Sequence, residues 1–149
     1  MCRPDWEVMM DPGGDPPFEL DSWVNLAPFE RTLGMEITEA GGGEALLTMP
    51  FTVKLAQGMG LLHGGALTSL ADTAAAMAIK TVLPEGTHFA TVALRTEFFS
   101  PVRGGVVSAR ARAVKEDDRT FRGEVSVADD SDREIARFVS TFKVAKGRG

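Results

Sequence analysis

Near its middle the chain reads QGMGLLHGGALTSLADTAAAMAIKTVLP over residues 57–84. This pattern predicts a helix over residues 66–83 that is ended by Pro84. Its apolar residues occupy several faces rather than one stripe, so we expect the helix to be buried on most sides. Six alanines within it keep the helix narrow and would let neighbouring backbones approach closely. We therefore expect the rest of the fold to be arranged around this helix.

Two features of this helix are chemically unusual. Gly64 and Gly65 precede it and would leave the first backbone N–H groups uncovered, at the positive end of the helix dipole. Asp72 lies within an apolar stretch and has no Lys or Arg three or four positions away. A buried carboxylate must be paired, and the ordinary explanation is a hydrogen bond to a hydroxyl such as that of Thr68 or Thr73. The functional alternative is a catalytic base or nucleophile.

Composition excludes several classes of protein. With 149 residues, of which 44% are apolar, the chain is expected to form one globular domain. The net charge is −5 and basic residues are interspersed with acidic ones, which argues against a nucleic-acid partner. The single cysteine, Cys2, cannot form an intrachain disulfide. Because no apolar run is typical of a signal peptide or a membrane span, we expect a cytoplasmic protein with no membrane partner.

The flanking segments predict further elements around the helix. Residues 1–20 are rich in Asp, Pro and Gly, so we expect a flexible leader before a single domain over residues 21–149. Residues 21–33 predict a short helix that is capped by Asp21 and interrupted near Pro28. Apolar and alternating patterns predict six strands, over residues 35–39, 44–49, 89–99, 106–115, 120–128 and 135–144. This order favours an α+β fold in which a curved antiparallel sheet wraps one long helix.

The polar residues fit acyl chemistry better than other chemistries. His63 and His88 are the only histidines and lack the spacing of metal ligands. Ser69 lies inside the predicted helix, without the nucleophile elbow that a catalytic serine needs. The amide of Gln57, the backbone N–H groups after His63 and the carboxylate of Asp72 would instead supply donors for an oxyanion and a base for water.

The whole pattern resembles the hotdog-fold acyl-CoA thioesterases of the phenylacetate-degradation (PaaI-like) type. The similarity covers residues 28–145 and is carried by PFERTLGMEI, GLLHGGALTSLADTAAAMA and FATVALRTEFFSPVRGG. It implies a hotdog fold of the α+β class, with a long central helix wrapped by a curved antiparallel sheet. It also implies hydrolysis of an acyl-CoA thioester without a metal or redox cofactor, since coenzyme A is part of the substrate.

The resemblance carries roles onto particular residues. It implies that Asp72 is the catalytic carboxylate, that the Gly64 amide polarises the thioester carbonyl, and that Gln57 orients the carbonyl or the water. His63 belongs to the same catalytic set, and the hydroxyl of Thr91 is implied to help place the water. The implied substrate-binding and CoA-binding residues are Gly65, Ala90, Ser100, Arg103 and Arg119. Members of the family use the carboxylate as a nucleophile or as a general base, and both roles stay open here.

Helix geometry constrains how Gly64 and Asp72 can cooperate. Eight residues separate them, which places them ~12 Å apart along one helix. A carboxylate and an oxyanion donor that act on one carbonyl must both lie within a few ångströms of it. Two antiparallel helices in a symmetric dimer would satisfy this requirement and create two equal sites. The resemblance implies the same arrangement, in a homodimer that pairs again into a tetramer.

Other functions on the same fold also remain open. A non-catalytic module that binds acyl-CoA or an acyl chain would keep the same apolar pattern. A purely structural oligomer would leave Asp72 unexplained, and a dehydratase would need a histidine base that the sequence does not place. For a thioesterase, a small aryl or a medium-chain acyl group would suit an apolar slot.

Overall fold

The computed structural model describes residue 5 and residues 14–146. The helices are α1 (Pro28–Thr32) and α2 (Gly64–Lys80), with a short 3-10 helix at Val53–Leu55. The strands are β1 (Glu36–Gly41), β2 (Glu44–Pro50), β3 (Phe89–Phe98), β4 (Val106–Asp117), β5 (Thr120–Ala128) and β6 (Glu134–Val144). All six form one antiparallel sheet in the order β1-β2-β4-β5-β6-β3. The predicted α+β architecture, one long helix against a curved antiparallel sheet, is confirmed.

Helix α2 packs closely on the inner face of the sheet, mainly against β2, β4 and β5. Its fully buried residues include four alanines, Ala71, Ala74, Ala75 and Ala78. At the closest approach, a Cβ atom added to Gly123 of β5 would lie 2.8 Å from the Cβ of Ala75 and 2.5 Å from the Oγ of Ser140. The small residues on both surfaces therefore allow the close contact that the alanine content predicts.

One row of α2 residues is left uncovered by this packing. Beyond the first two turns, where Gly65 and Ser69 are also accessible, the helix is buried except at every fourth position. Residues at this spacing lie one above the other on the same side of a helix. We call the partly exposed residues Gly64, Thr68, Asp72, Ala76 and Lys80 the uncovered row.

Strand β3 runs beside the uncovered row and directs side chains towards it. Thr91, Thr96 and Phe98 are paired across the ladder with Phe142, Phe138 and Ala136 of β6, which are all buried in the core. Directly opposed residues share a face of the sheet, so these β3 side chains lie on the inner face. Simple alternation would place residues 91 and 96 on opposite faces, but a β-bulge at Val92 restores the same face.

The ends of α2 differ from the prediction of residues 66–83. The helix begins at Gly64 because His63 caps it, and its side chain accepts the N–H of Gly65. It ends at Lys80, three residues earlier than predicted. The hydroxyl of Thr81 donates to the carbonyl of Ala78 at 2.6 Å and accepts the N–H of Gly43 at 2.8 Å. These bonds tie the end of the helix to the β1–β2 turn before Pro84 is reached.

The N-terminal segment also differs from the prediction. Within residues 14–33 only Pro28–Thr32 is helical, Ala27 is the N-cap residue, and the predicted cap by Asp21 is wrong. A proline fits the first position of a helix because its N–H would have no helical partner, so Pro28 starts the helix instead of interrupting it. Most of the predicted leader lies outside the described residues, and residues 14–20 form neither helix nor strand.

All six predicted strands are present, with ends within two residues of those expected. Strands β1 and β2 form a hairpin around Gly42 and Gly43, whose φ values are 60° and 82°. Two consecutive positive φ angles are the geometry of a two-residue hairpin turn, which glycine adopts without steric cost.

The contact at Gly123 generates a prediction about stability. Gly123→Ala should lower the free energy of unfolding by about 1–3 kcal/mol, because the new methyl group must displace Ser140 or Ala75. Gly41→Ala is the matched control, since Gly41 also lies in a strand and its added Cβ would meet nothing within 4 Å. Denaturant unfolding at one protein concentration measures both. Equal effects of the two substitutions would contradict the close-packing explanation.

Candidate active site

Asp72 lies at the centre of the uncovered row and is held by β3. The hydroxyl of Thr91 donates to Oδ1 of Asp72 at 2.7 Å. The sequence suggested a bond from Asp72 to a hydroxyl of its own helix, that of Thr68 or Thr73. Thr68 is instead bonded to Thr96, with 3.0 Å between their oxygens. The structure thus brings together Asp72 and Thr91, two of the predicted site residues, and fixes the carboxylate on the partly exposed side of the helix.

The surroundings of Asp72 favour a carboxylate that can accept a proton. Burial raises the pKa of Asp72 above the usual range of an aspartate. The hydrogen bond from Thr91 acts in the opposite direction, because it stabilises the charged form, and the charge of Glu30 raises the pKa further. Perturbation by burial together with a specific partner is typical of catalytic groups.

Gly64 and Gly65 differ in what their N–H groups do at the start of α2. The N–H of Gly65 donates to Nδ1 of His63 at 2.8 Å, so the expectation that both amides are uncovered is wrong for Gly65. In the described part of the chain, no acceptor is assigned to the N–H of Gly64. The tip of the Phe98 ring would lie 3.2 Å from a Cβ atom at Gly64. A side chain at this position would therefore make the ring move by a few tenths of an ångström.

Three of the predicted residues meet in an open pocket of ≈ 360 Å³ at this end of α2. Gln57, Gly64 and Ser100 line it together with apolar side chains, which are Leu61, Leu62, Leu67, Phe98, Phe99, Pro101 and Val102. The side-chain carbonyl of Gln57 accepts the N–H of Met59 within its own turn. This bond holds the Gln57 amide at the pocket and leaves its NH₂ group as a donor.

The other predicted residues are divided between two ends of the molecule. Arg103 is exposed in the β3–β4 turn, whereas Arg119 lies in the β4–β5 turn, where its Nε donates to the carbonyl of Val144 at 3.0 Å. Strand β4 separates these turns by roughly 35 Å. Ala90 lies near Arg119 and is paired with Lys143, on the opposite face from Thr91. One chain therefore does not bring Arg103 and Arg119 together.

Sequence reasoning missed three residues around this site. Phe98 packs on Gly64, Glu30 acts electrostatically on Asp72, and Trp23 lies at the far end of the uncovered row through its bonds to Lys80. Each contact joins distant parts of the chain, so no local pattern signalled them. The adjacent pair Phe98 and Phe99, on a strand otherwise rich in Thr and Ala, was the only available signal.

Neither a metal centre nor a membrane span was found in what the structure describes. Among residue 5 and residues 14–146, no three His, Cys, Asp or Glu side chains are grouped as a metal ion would require. No helix there has the length and apolar character needed to cross a bilayer.

Comparisons with known proteins agree with this geometry. The model of the family named thioesterase superfamily matches residues 59–136. A candidate esterase of Halobacterium salinarum is 33% identical over 135 residues, which cover 87% of each chain. The 1,4-dihydroxy-2-naphthoyl-CoA hydrolase of Listeria monocytogenes is 28% identical over 120 residues, covering 80% of this chain and 97% of that protein.

A solved structure of a substituted form of the phenylacetic acid degradation protein PaaI from Thermus thermophilus is also similar. It has a TM-score of 0.73 and 30% identity, and the match covers 80% of this chain and 100% of that one. The region matched by the family model includes all of α2 and β3, and hence Gly64, Asp72 and Thr91. The chain belongs to the thioesterase superfamily, and its long helix in a curved antiparallel sheet is the hotdog fold.

Proposed function

We propose that this protein hydrolyses an acyl-CoA thioester to a free acid and coenzyme A, with Asp72 as the catalytic carboxylate. The observation that carries the proposal is the position of Asp72. It is the one acidic residue of the uncovered row, it is partly exposed, and its carboxylate is oriented by Thr91. A buried charge with only a structural role would be expected to face its partners on all sides.

Thioester hydrolysis needs a base or nucleophile and a hydrogen-bond donor for the oxyanion, and Asp72 and Gly64 are proposed to supply them. As a general base, Asp72 takes a proton from water, and the resulting hydroxide attacks the thioester carbon. As a nucleophile, the carboxylate attacks that carbon directly, and water later hydrolyses the anhydride. In both routes the carbonyl oxygen becomes an oxyanion, the C–S bond breaks and the thiolate of coenzyme A takes up a proton. The N–H of Gly64 at the positive end of α2 would stabilise the oxyanion.

The substrate class proposed is a small aryl-CoA or medium-chain acyl-CoA. The names of two relatives, a dihydroxynaphthoyl-CoA hydrolase and a phenylacetic acid degradation protein, favour the aryl alternative. The pocket beside Gly64 has mostly apolar walls. A non-catalytic acyl-CoA binding module is the second candidate, favoured only by those same walls, and it gives no role to the orientation of Asp72.

The active site is proposed to be shared between two subunits. Gly64 and Asp72 lie ~12 Å apart along the same straight helix, too far to act on one carbonyl. The pocket of Gln57 and Ser100 lies at the Gly64 end of α2, whereas Thr91 is bonded to Asp72 and Arg119 lies at the opposite end of the molecule. A two-fold axis that sets two α2 helices antiparallel would bring Gly64 of one chain to Asp72 of the other, twice.

Strand β3 is the surface that we propose for this pairing. It is an edge of the sheet formed by the described residues, and its ten residues present main-chain groups with no neighbouring strand on one side. On its inner face, Leu94 and Phe98 are 48% and 53% exposed. Pairing of two β3 edges would cover these side chains and place the two uncovered rows side by side. Assembly of two such dimers and a cytoplasmic location complete the proposal.

The first catalytic prediction concerns the charge of Asp72. Asp72→Asn keeps the shape of the side chain but removes the base or nucleophile, so turnover should fall by about 10²-fold or more. Release of free thiol from a panel of aryl-CoA and aliphatic acyl-CoA thioesters measures it. Asp15→Asn, at an exposed position, is the matched control and should retain activity. Near wild-type turnover by a folded Asp72→Asn variant would favour the binding module.

The second prediction concerns pH. Because the carboxylate must be ionised, activity should fall as the pH decreases through the raised pKa of Asp72, above the range usual for aspartate. Thr91→Val removes a bond that stabilises the ionised form, so the midpoint of this acid limb should move to still higher pH. Thr96→Val is the control, since Thr96 bonds to Thr68 instead. If Thr91→Val leaves this midpoint unchanged, the loss of activity at low pH does not come from protonation of Asp72.

The third prediction tests the shared site by subunit exchange. Gly64→Pro removes the proposed oxyanion donor at the first helical position, where the Phe98 ring must shift slightly to admit the proline ring. Asp72→Asn removes the carboxylate. After both variants are shown to fold, they are mixed through mild unfolding and refolding. Random pairing gives about half mixed dimers with one intact site each, so roughly a quarter of wild-type activity should return. Verified mixed dimers without activity would mean that each chain holds a complete site.

A further inference from the structure

The segment before α1 is clamped onto the C-terminal end of α2. The indole Nε1 of Trp23 donates to the carbonyl of Lys80 at 2.9 Å, and the Nζ of Lys80 donates to the carbonyl of Trp23 at 3.0 Å. The Lys80 ammonium also lies 4.6 Å from the centre of the indole ring, in cation–π contact. Two reciprocal hydrogen bonds and a ring contact fix the indole at the last residue of the uncovered row.

The clamp continues into the strand that holds Asp72. The Trp23 ring meets Phe89 edge-on, with 6.4 Å between the ring centres, and Phe89 contacts Phe142 at 5.9 Å. Phe89 precedes Thr91 by two residues on β3, so both side chains lie on the inner face. The indole, Phe89 and Thr91 therefore follow one another towards Asp72 along the side of α2.

Between Asp72 and the clamp, the uncovered row contains only the methyl group of Ala76. Asp72, Ala76, Phe89 and Thr91 all keep partial exposure along the boundary between α2 and β3. We call this partly exposed boundary the crevice. Asp72 and Lys80 are eight residues apart, which makes the crevice ~12 Å long from the carboxylate to the clamp. Ala76 and Phe89 along it are small or apolar, and the Trp23 ring lies at its far end against the Lys80 ammonium. The charge of Glu30 acts on both Asp72 and Lys80.

We propose that Trp23 is the end wall of the acyl-binding crevice and limits the length of the acyl group, an inference that rests on the proposed function. A thioester carbonyl at Asp72 has an acyl group on one side and the CoA chain on the other. The charged CoA nucleotide needs an open, polar route, whereas the acyl group suits an apolar crevice with a closed end. Trp23 lies outside residues 59–136, the region matched by the family model.

Binding of non-hydrolysable ligands tests the wall without relying on catalysis. S-butyl-CoA, S-octyl-CoA and S-dodecyl-CoA thioethers are titrated calorimetrically into the full chain. The wild type should bind the octyl ligand more tightly than the dodecyl ligand. Trp23→Ala opens the end of the crevice, so the dodecyl-to-octyl affinity ratio should rise by about tenfold, the size of effect that a small change in an apolar pocket produces.

Two further variants make the result decisive. Phe29→Ala removes an aromatic ring that is 58% exposed in the neighbouring α1, and should leave the ratio unchanged. Lys80→Met keeps the length of the stem but removes the Nζ bond to the Trp23 carbonyl and the cation–π contact. The indole bond to the carbonyl of residue 80 remains, so this variant should raise the affinity ratio less than Trp23→Ala does. It takes the place of Trp23→Ala should that variant not fold.

The possible outcomes separate the two proposals. An unchanged ratio in the folded variants, or an equal rise in Phe29→Ala, overturns the role of Trp23 while thioesterase activity stands. A wild type that binds the thioethers but releases no thiol from any acyl-CoA overturns the proposed function, and the affinity ratio still decides the role of Trp23. A wild type that binds none of the three ligands overturns both.

Discussion

The close approach of α2 to the sheet is the constraint on which the rest of the molecule depends. Alanines on the helix and Gly123 on the sheet allow contact between backbones and leave one row of helical residues uncovered. Because the core occupies every other side of the helix beyond its first two turns, polar chemistry on that part of α2 is confined to this row. The carboxylate, the free N–H of the first turn and the clamp at the last turn all lie on it.

Local patterns in the sequence were sufficient to predict the long helix and the strands, and to single out two candidate site residues. Apolar periodicity predicted the helix and six strands, and an isolated acid with a glycine pair marked Asp72 and Gly64. The contact of Asp72 with Thr91 could not be derived in this way, since it depends on the bulge at Val92, which strand alternation does not reveal. Thr91 was predicted only through the family resemblance. The bond from the Gly65 N–H to Nδ1 of His63 depends on the side-chain rotamer of His63, which the sequence does not reveal.

The N-terminal segment was predicted less well, for a physical reason. Residues 21–27 have little local preference for one structure, and their conformation is set by bonds to Lys80 and by the Phe89 ring, more than fifty residues away. Such contacts override propensity because burial of an aromatic ring is worth more than the small differences between local conformations. Pro28 illustrates the ambiguity, since a proline can interrupt a helix or begin one, and here it begins α1.

The unpaired edge of β3 has a consequence for the protein at low abundance. If two chains pair along β3 as proposed, the second chain covers the main-chain groups and half-exposed apolar side chains of that edge, which face water in a lone chain. Folding and association would then be linked by mass action, so the melting temperature would rise with concentration. A cell that makes few copies of the chain would hold a smaller active fraction, and activity per molecule would depend on expression level.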